Sequence, residues 1–476
     1  MSALLTGKVR DFAVKRRFVD DARSVRNVHR QSVPRMGGIA FVSSWLMATA
    51  LMLALSPTLR EAFWIRRPRS IVFLFGALAA TALGVIDDVR GLRARYKLAA
   101  QAAIGLLLCA AGLTVHDIQL PGGILIPLGY LAVPLTVLWI SGVMNAMNLI
   151  DGLDGLAAGV AAIALATMFV VALMVGNPLL AVYSAALFGA LLGFLIYNFN
   201  PASIFMGDGG SLFLGYFLAV AVIVPMRQSE ANGLKVVLPL VILGVPILDT
   251  AFAIARRLLR GRKVFSPDRE HLHHRLLARG MSHRAAVITL YAVCAALGIA
   301  GVAMAFGGPY LEILVGTGLI CAAVSALRLL GFFGLKLDGL RATRHSNQDL
   351  RTSVKHIAGR LEQVVHIHEV FESLQPLAGA VSASAIIVRI GTARSEHRRE
   401  PASERDFQAS FSVTQGRRTV GNVVVVWGDG REQLEDDHAL AIEEVCENVA
   451  RTVSRVWPGT VISPLPAPAV RRALGS

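Results

Sequence analysis

The 476-residue sequence predicts an all-α polytopic membrane protein of about ten transmembrane helices, followed by a small C-terminal cytoplasmic α/β domain. Three observations predict it. Apolar residues make up 54% of the chain and charged residues 17%, against about 45–50% and about 25% in an ordinary soluble domain. The apolar residues gather in blocks of membrane-spanning length up to about residue 336. Beyond that point no such block occurs, and residues 337–476 carry 17 basic and 17 acidic side chains. A mean hydropathy of +0.57 excludes a disordered or collagen-like chain. Four cysteines exclude a disulfide scaffold.

A span needs about 20 mostly apolar residues. Ten segments qualify: 39–56, 70–86, 98–115, 128–145, 155–176, 178–197, 211–226, 234–255, 286–306 and 311–330. Internal prolines such as Pro239 and Pro246 are tolerated where neighbouring helices satisfy the freed backbone. Gly176 and Asn177 read as a tight hairpin between the fifth and sixth spans. Residues 1–38 are polar and basic and show no secretory signal, so the first span acts as the insertion signal.

Orientation follows from Lys and Arg. Residues 1–38 hold nine, 87–97 four and 256–285 nine, which places these segments and both termini in the cytoplasm. Arg60, Arg66, Arg67 and Arg69 fall on the other side and oppose the scheme. The formal net charge of +15 lies entirely within residues 1–336, so it marks orientation and an anion-attracting inner surface, not nucleic-acid binding.

In residues 337–476, helical periodicity runs over 349–374 through Leu350, Val354, Ile357, Leu361, Val364 and Phe371. Strand-like runs follow at Ala385–Ile390, Phe407–Val413 and Val420–Trp427. Gly428-Asp429-Gly430 marks a turn, Leu434–Val456 an amphipathic helix, and Pro464 to Pro468 a Pro-rich tail. The order helix, strands, helix resembles a GAF-type sensor module. A structural or dimerising appendage is the alternative.

Ionisable groups near membrane depth are costly and usually functional. Here six acids collect at one predicted face: Asp87, Asp88, Asp151, Asp154, Asp208 and Asp249. Adjacent helical residues point about 100° apart. One of Asp87 and Asp88 therefore faces the site while the other pairs with Arg90, Arg93 or Lys97, unless both form a solvated helix end. Asn145, Asn148, Asp151 and Asp154 recur every third residue, a polar stripe if helical, with helix capping as the simpler account. Their oxygens are hard ligands of the kind Mg²⁺ takes. Phe205-Met-Gly-Asp208-Gly-Gly-Ser211 is a Gly-rich turn at a helix start, suited to an anion with a metal, or a plain N-cap by Ser211. His271, His273, His274 and Arg275 lie among Arg256, Arg257, Arg260, Arg262, Lys263 and Arg269. This set fits a phosphate polyanion better than zinc, which would need a fuller ligand set. The outlying arginines also suit anionic lipid.

These motifs in this order resemble the polyprenyl-phosphate N-acetylhexosamine-1-phosphate transferase family over about residues 20–330. The resemblance rests on His29 with Pro34-Arg35-Met36-Gly37-Gly38, Asp87-Asp88 with Lys97 and Gln101, and Asn145 to Gly155. It continues through Asn200, Phe205 to Ser211, Pro246 to Thr250 and His271 to Arg275. The His segment, Asp268-Arg-Glu-His271-Leu-His-His-Arg275, is similar to the branch using UDP-N-acetylglucosamine, not the UDP-MurNAc-pentapeptide branch with three consecutive histidines. Family members usually carry a span before the His-Pro-Arg-Gly-Gly segment. Residues 1–28 are too polar to be one, which leaves ten spans rather than eleven.

The resemblance implies transfer of GlcNAc-1-phosphate from UDP-GlcNAc to undecaprenyl phosphate at the inner face of the bacterial plasma membrane, with Mg²⁺ or Mn²⁺ as cofactor. It implies Asp208 and Asn148 as metal ligands, and Asp87 as the group orienting or deprotonating the lipid phosphate. Asp88 would support Asp87 through Lys97 or the metal shell. Asp151 and Asp154 would shape the sugar-nucleotide pocket together with Asn145, and His271, His273, His274 and Arg275 would hold the pyrophosphate and sugar. Another UDP-N-acetylhexosamine is the alternative donor. A transporter would scatter its acids over several depths, and a non-catalytic sensor or scaffold would not need these motifs. Homodimer formation and a ligand of the C-terminal domain stay open.

Overall fold

The computed structural model describes residues 1–16, 33–119, 125–226, 241–259, 261, 271–329, 337–401, 406–415, 418–431 and 434–457. The chain divides into two compact units, Met1–Ile254 with Asp268–Gly334, and Ala255–Pro267 with Leu335–Ser476.

The first unit is a helical bundle. Its helices are α1 (Ser2–Lys15), α2 (Gly37–Leu55), α3 (Pro57–Ile65), α4 (Arg67–Arg90), α5 (Ala94–Ala110), α6 (Ala132–Ile150) and α7 (Leu156–Met174). They continue as α8 (Pro178–Asn198), α9 (Gly207–Met226), α10 (Gly244–Leu259, whose last turns cluster with the second unit), α11 (Leu272–Ala278), α12 (His283–Phe306) and α13 (Gly308–Leu329). Among the described residues, six helices are long and apolar enough to cross a membrane: α2, α4, α6 with the short turn before it, α7, α8 and α12. Apolar stretches of α9 and α13 are shorter, and residues 234–240 of the eighth expected span lie outside the described residues.

Local chemistry sets the helix ends. Asn177 accepts from the Leu180 N–H at 3.1 Å, and Pro178 follows at the first helical position, so the expected α7–α8 hairpin forms. Gly91, at φ +64°, ends α4. Several elements were not expected, and two of them join or flank the expected spans. Helix α1 packs on α8 through the Ser2 hydroxyl, which donates to Ala190 O at 2.6 Å. A two-stranded hairpin, β1 (Asp117–Gln119) with β2 (Leu125–Pro127), joins α5 to α6.

Helix α9 is the hub. Leu212, Phe213, Leu214, Tyr216 and Phe217 are all fully buried, as expected for a helix that is apolar on every side. Trp45, Phe73, Tyr183, Phe213 and Phe217 form an aromatic cluster around it. Two polar tips here find backbone partners: Tyr216 donates to Phe73 O at 2.9 Å and Trp45 to Tyr183 O at 3.2 Å.

The second unit holds α14 (Leu337–Gln363), α15 (Ile367–Ala380), β3 (Ala385–Ile390), β4 (Ala393–Arg398), β5 (Phe407–Gln415), β6 (Arg418–Trp427) and α16 (Asp436–Val456). The sheet is antiparallel, in the order β4-β3-β6-β5. Its core joins Val354 and Ile357 of α14, Leu374 of α15, Val388, Val423 and Trp427 of the sheet, and Ile442 and Val449 of α16. The single helix expected over 349–374 is two. Glu369 accepts from the N–H groups of Val365 and His366, which caps α15 afresh and turns the chain between them.

Candidate active site

Five segments meet at one end of the bundle: residues 33–38 leading into α2, the end of α4, the start of α5, the end of α6 and the start of α9. Backbone bonds tie the first to the last. Phe205 N donates to Pro34 O at 2.8 Å, Gly37 N to Phe205 O at 2.9 Å and Gly38 N to Met206 O at 2.9 Å. Glycine makes the approach feasible. A Cβ on Gly84 would sit 2.2 Å from Asp208 O, and one on Gly38 would sit 2.4 Å from Gly210 N.

Asp88 closes the start of α9. Its two carboxylate oxygens accept from the N–H groups of Asp208, at 3.0 Å, and Gly209, at 3.1 Å. A carboxylate there satisfies orphan donors and complements the helix dipole. The expected cap, Ser211, lies inside the helix, where its hydroxyl accepts from Asn148 Nδ2 at 2.9 Å.

Lys97 is the centre of the cluster. Its ammonium meets Asp87 Oδ2 at 2.7 Å, Asp208 Oδ2 at 2.5 Å and Asn148 Oδ1 at 3.4 Å. Asn148 Nδ2 donates to Asp208 Oδ1 at 2.9 Å, and Leu92 N donates to Asp87 Oδ1 at 2.6 Å. The lysine therefore bonds Asp87 directly, and Asp88, expected to support Asp87 through Lys97 or the metal shell, holds the α9 N–H groups instead. Both adjacent carboxylates reach the site because their partners stand on different elements, α5 and α9. One turn along, Asn145 Nδ2 donates to Gln101 Oε1 and to Ser141 O, both at 2.7 Å. Gln101 is fully buried and was not singled out for a role. Its position four residues after Lys97 is the signal that could have found it.

The Asn-Asp stripe does not run as one helix face. Helix α6 ends at Ile150, leaving Asn145 and Asn148 on it, Asp151 just past its end and Asp154 in the following turn. Burial pushes the Asp151 carboxyl up to about 7, helped by the negative charges of Asp208 and Asp88. Asp154 is 3% exposed, and its Oδ2 accepts from Asn200 Nδ2 at 2.9 Å and Ala202 N at 3.0 Å.

The histidines sit beside that turn. His271 Nδ1 meets Asp249 Oδ2 at 3.0 Å, and Leu272 N donates to Asp249 Oδ1 at 2.8 Å. His273 is 2% exposed, and its ring lies so close to Gly152 that a Cβ there would be 2.7 Å from Nε2. Its Nδ1 has no hydrogen-bond partner among the described residues, and burial pushes the imidazole down to about 3, so it is neutral at pH 7. The His274 ring follows 4.3 Å away, and Arg275 extends the same short helix α11. His29, Asp268, Arg269 and Glu270 lie outside the described residues.

A glycosyl transferase family 4 model matches residues 70–226. The chain is 39% identical over 294 residues to a probable undecaprenyl-phosphate N-acetylglucosaminyl 1-phosphate transferase of Bacillus subtilis, covering 61% of this chain and 78% of that protein. The chain belongs to glycosyl transferase family 4. It is also 38% identical over 308 residues to a decaprenyl-phosphate N-acetylglucosaminephosphotransferase of Mycolicibacterium smegmatis, covering 60% of this chain and 75% of that one. Against a phospho-N-acetylmuramoyl-pentapeptide-transferase of Desulforudis audaxviator the figures are 33% over 313 residues, 60% and 90%.

The family 4 resemblance implies Mg²⁺, and the donor set fits a hard cation. Asp87, Asp88 and Asp208 bring three carboxylates to one junction, where Lys97 bonds Asp87 and Asp208 and Asp88 holds the α9 N–H groups. Among the described residues no group of three or more His, Cys, Asp or Glu side chains forms a ready metal cage. That is compatible with Mg²⁺, which keeps waters and uses one or two carboxylates plus substrate phosphates.

Proposed function

We propose that this family 4 enzyme transfers N-acetylglucosamine 1-phosphate from UDP-GlcNAc to undecaprenyl phosphate, giving undecaprenyl-diphospho-GlcNAc and UMP. The observation that carries the reading is the Asp87–Lys97–Asp208–Asn148 cluster at one end of a membrane-type bundle. A lipid phosphate and a water-soluble nucleotide can meet only near such a surface. The relatives named for polyprenyl-phosphate N-acetylglucosamine transfer support the acceptor and the donor. The resemblance of the His271 to Arg275 segment to the UDP-N-acetylglucosamine branch favours UDP-GlcNAc over a MurNAc-pentapeptide donor. The ten-span arrangement, with both termini and the C-terminal unit cytoplasmic, belongs to the same proposal and rests on the Lys and Arg distribution.

An oxygen of the lipid phosphate attacks the β-phosphorus of UDP-GlcNAc. The bond from that phosphorus to the oxygen shared with the α-phosphate breaks, and UMP leaves. Such a reaction needs mainly positioning and charge neutralisation. Asp87 orients the lipid phosphate and takes its proton. Lys97, already between two carboxylates, is placed to exchange one of them for a phosphate oxygen. Asp88 keeps the start of α9 in place by holding its N–H groups. Asp208 and Asn148 would hold Mg²⁺, whose chemistry is to offset the negative charge gathered on the diphosphate. His271, His274 and Arg275 face the nucleotide sugar, with His273 as a neutral wall beside Gly152. Asp151 lines the same pocket, and Asn145 braces it through Gln101.

A panel of radiolabelled UDP-sugars with undecaprenyl phosphate, with and without Mg²⁺, tests the reading. UDP-GlcNAc should give labelled lipid and UMP only with the metal. Asp208→Asn should lower UMP release by about 10²–10³-fold. Near-normal release from that variant would remove Asp208 from the site.

A further inference from the structure

The start of α12 makes contacts that the reaction as described does not use. Ser282 caps this helix, its hydroxyl accepting from Ala285 N at 3.3 Å. The next residue, His283, accepts the Asp154 N–H on Nε2 at 3.0 Å, which fixes its own proton on Nδ1. Arg284 donates to Asn200 O from Nε at 3.2 Å and from Nη2 at 2.9 Å. Two turns further along, Tyr291 donates to Gly155 O at 2.5 Å. The two loops so reached are also joined to each other, because Asp154 Oδ2 accepts from Asn200 Nδ2 and Ala202 N.

Each loop ends in the active site. The 151–155 turn begins at Asp151, three residues after Asn148. The 199–206 loop runs into Gly207 and Asp208, and its own bonds leave it little slack. Asn198 Nδ2 donates to Ile204 O at 2.9 Å, Ser203 N to Tyr197 O at 2.8 Å and Phe205 N to Pro34 O at 2.8 Å. A shift at Asn200 is therefore passed to Asp208. Gly155, at φ +78°, lets Phe199 and the Tyr291 hydroxyl close on the turn, since a Cβ there would lie 3.1 Å and 3.4 Å from them.

We propose that His283 and Arg284 are positioning residues that clasp the 151–155 turn to the 199–206 loop and so set Asp208 and Asn148 in register for transfer. The proposal rests on the transferase reading above. A displacement of about 1 Å at a reacting group can cost about 10²-fold in rate, so the clasp acts on turnover more than on substrate binding.

The test uses the full-length protein in detergent or nanodiscs. His283→Leu removes the acceptor, and His283→Gln restores one near the position of Nε2. Arg284→Ala removes the second arm, and because Arg284 is exposed its truncation opens no core. His283→Leu and Arg284→Ala should lower kcat about 10–100-fold while KM for UDP-GlcNAc moves less than about threefold. His283→Gln should stay within about threefold of wild type in kcat. Amide exchange over residues 150–156 and 199–206 should speed up in His283→Leu and not in His283→Gln. Wild-type turnover in both truncations, equal losses in the Leu and Gln variants, or unchanged exchange in His283→Leu would each overturn the clasp. A wild-type protein that releases no UMP from any UDP-sugar would instead overturn the transferase reading, and amide exchange would still decide the clasp.

Discussion

The carboxylate–lysine junction and the histidine segment border the same proposed pocket but are built in opposite ways. At the junction the charged groups already have protein partners. Asp88 holds two backbone N–H groups, Lys97 bridges Asp87 and Asp208, and Asn148 ties Asp208 to Ser211. In the histidine segment burial comes without full satisfaction. His271 is paired with Asp249, but His273 keeps an unpartnered Nδ1 in an almost fully buried ring. The difference teaches that the two regions do different work. A preorganised charged junction suits charge that develops during reaction. A wall with an unused polar atom suits a ligand that arrives, because an unmade hydrogen bond is costly until something makes it.

The largest effect should come from Lys97→Met. It leaves the Asp87 and Asp208 carboxylates without their shared cation, and like charges so placed resist ionising together. UMP release should fall by about 10²–10³-fold. Turnover close to wild type would show that the junction needs no resident cation. Gly84→Ala comes next. The added Cβ would sit 2.2 Å from Asp208 O, so α4 and α9 must part. Overpacking of this kind costs about 1–3 kcal/mol. Thermal unfolding should drop together with turnover, and an unchanged pair of values would mean that the start of α9 is free to move. Asp88→Asn is milder. It keeps an acceptor for the α9 N–H groups and loses the charge, so stability should fall by about 0.5–2 kcal/mol and UMP release by about tenfold. A full loss of UMP release would instead give Asp88 a direct part in the chemistry.

The bundle was legible because membrane spans are written in composition. Each of the ten expected segments overlaps a helix over its described part, although among the described residues six helices meet the length and apolarity of a span by themselves. Helix α1 was hidden because its basic residues, Lys8, Arg10 and Lys15, mask the small residues that pack on α8. The acids of the site were legible as costly groups at one predicted face. Their pairings were not, since Lys97 and Asp208 are 111 residues apart and nothing local links them. Adjacent Asp87 and Asp88 diverge as a helix requires, Asp87 pairing with Lys97 on α5 and Asp88 with the N–H groups that start α9. In the second unit β3 and β6 carry apolar residues and were found. Strand β4, Ala-Arg-Ser-Glu-His-Arg, was not. It is an edge strand whose outward residues Arg394, Glu396 and Arg398 bond one another at 3.0 Å and 3.1 Å, so no apolar alternation marks it.

The smallest effect tests the histidine side of the contrast. Burial holds His273 at about 3 in the folded protein, against 6.5 as its ordinary value. The folded state therefore binds fewer protons at this site than the unfolded chain once the pH drops below about 6.5. Its contribution to stability is complete above that value and is lost as the pH falls toward about 3. Between pH 7 and pH 5 the loss is about 2 kcal/mol. His273→Gln keeps a polar group against Gly152 and removes the titration, so its Tm should fall less than the wild-type Tm between pH 7 and pH 5. Asp87, Lys97 and Asp208 are unchanged in this variant and cancel from the comparison. The His271–Asp249 pair is also present in both proteins and cancels in the same way. A His273→Gln protein as acid-sensitive as wild type would mean that the buried ring takes up its proton without cost. The histidine wall would then be as fully satisfied as the carboxylate junction, and the contrast between them would be gone.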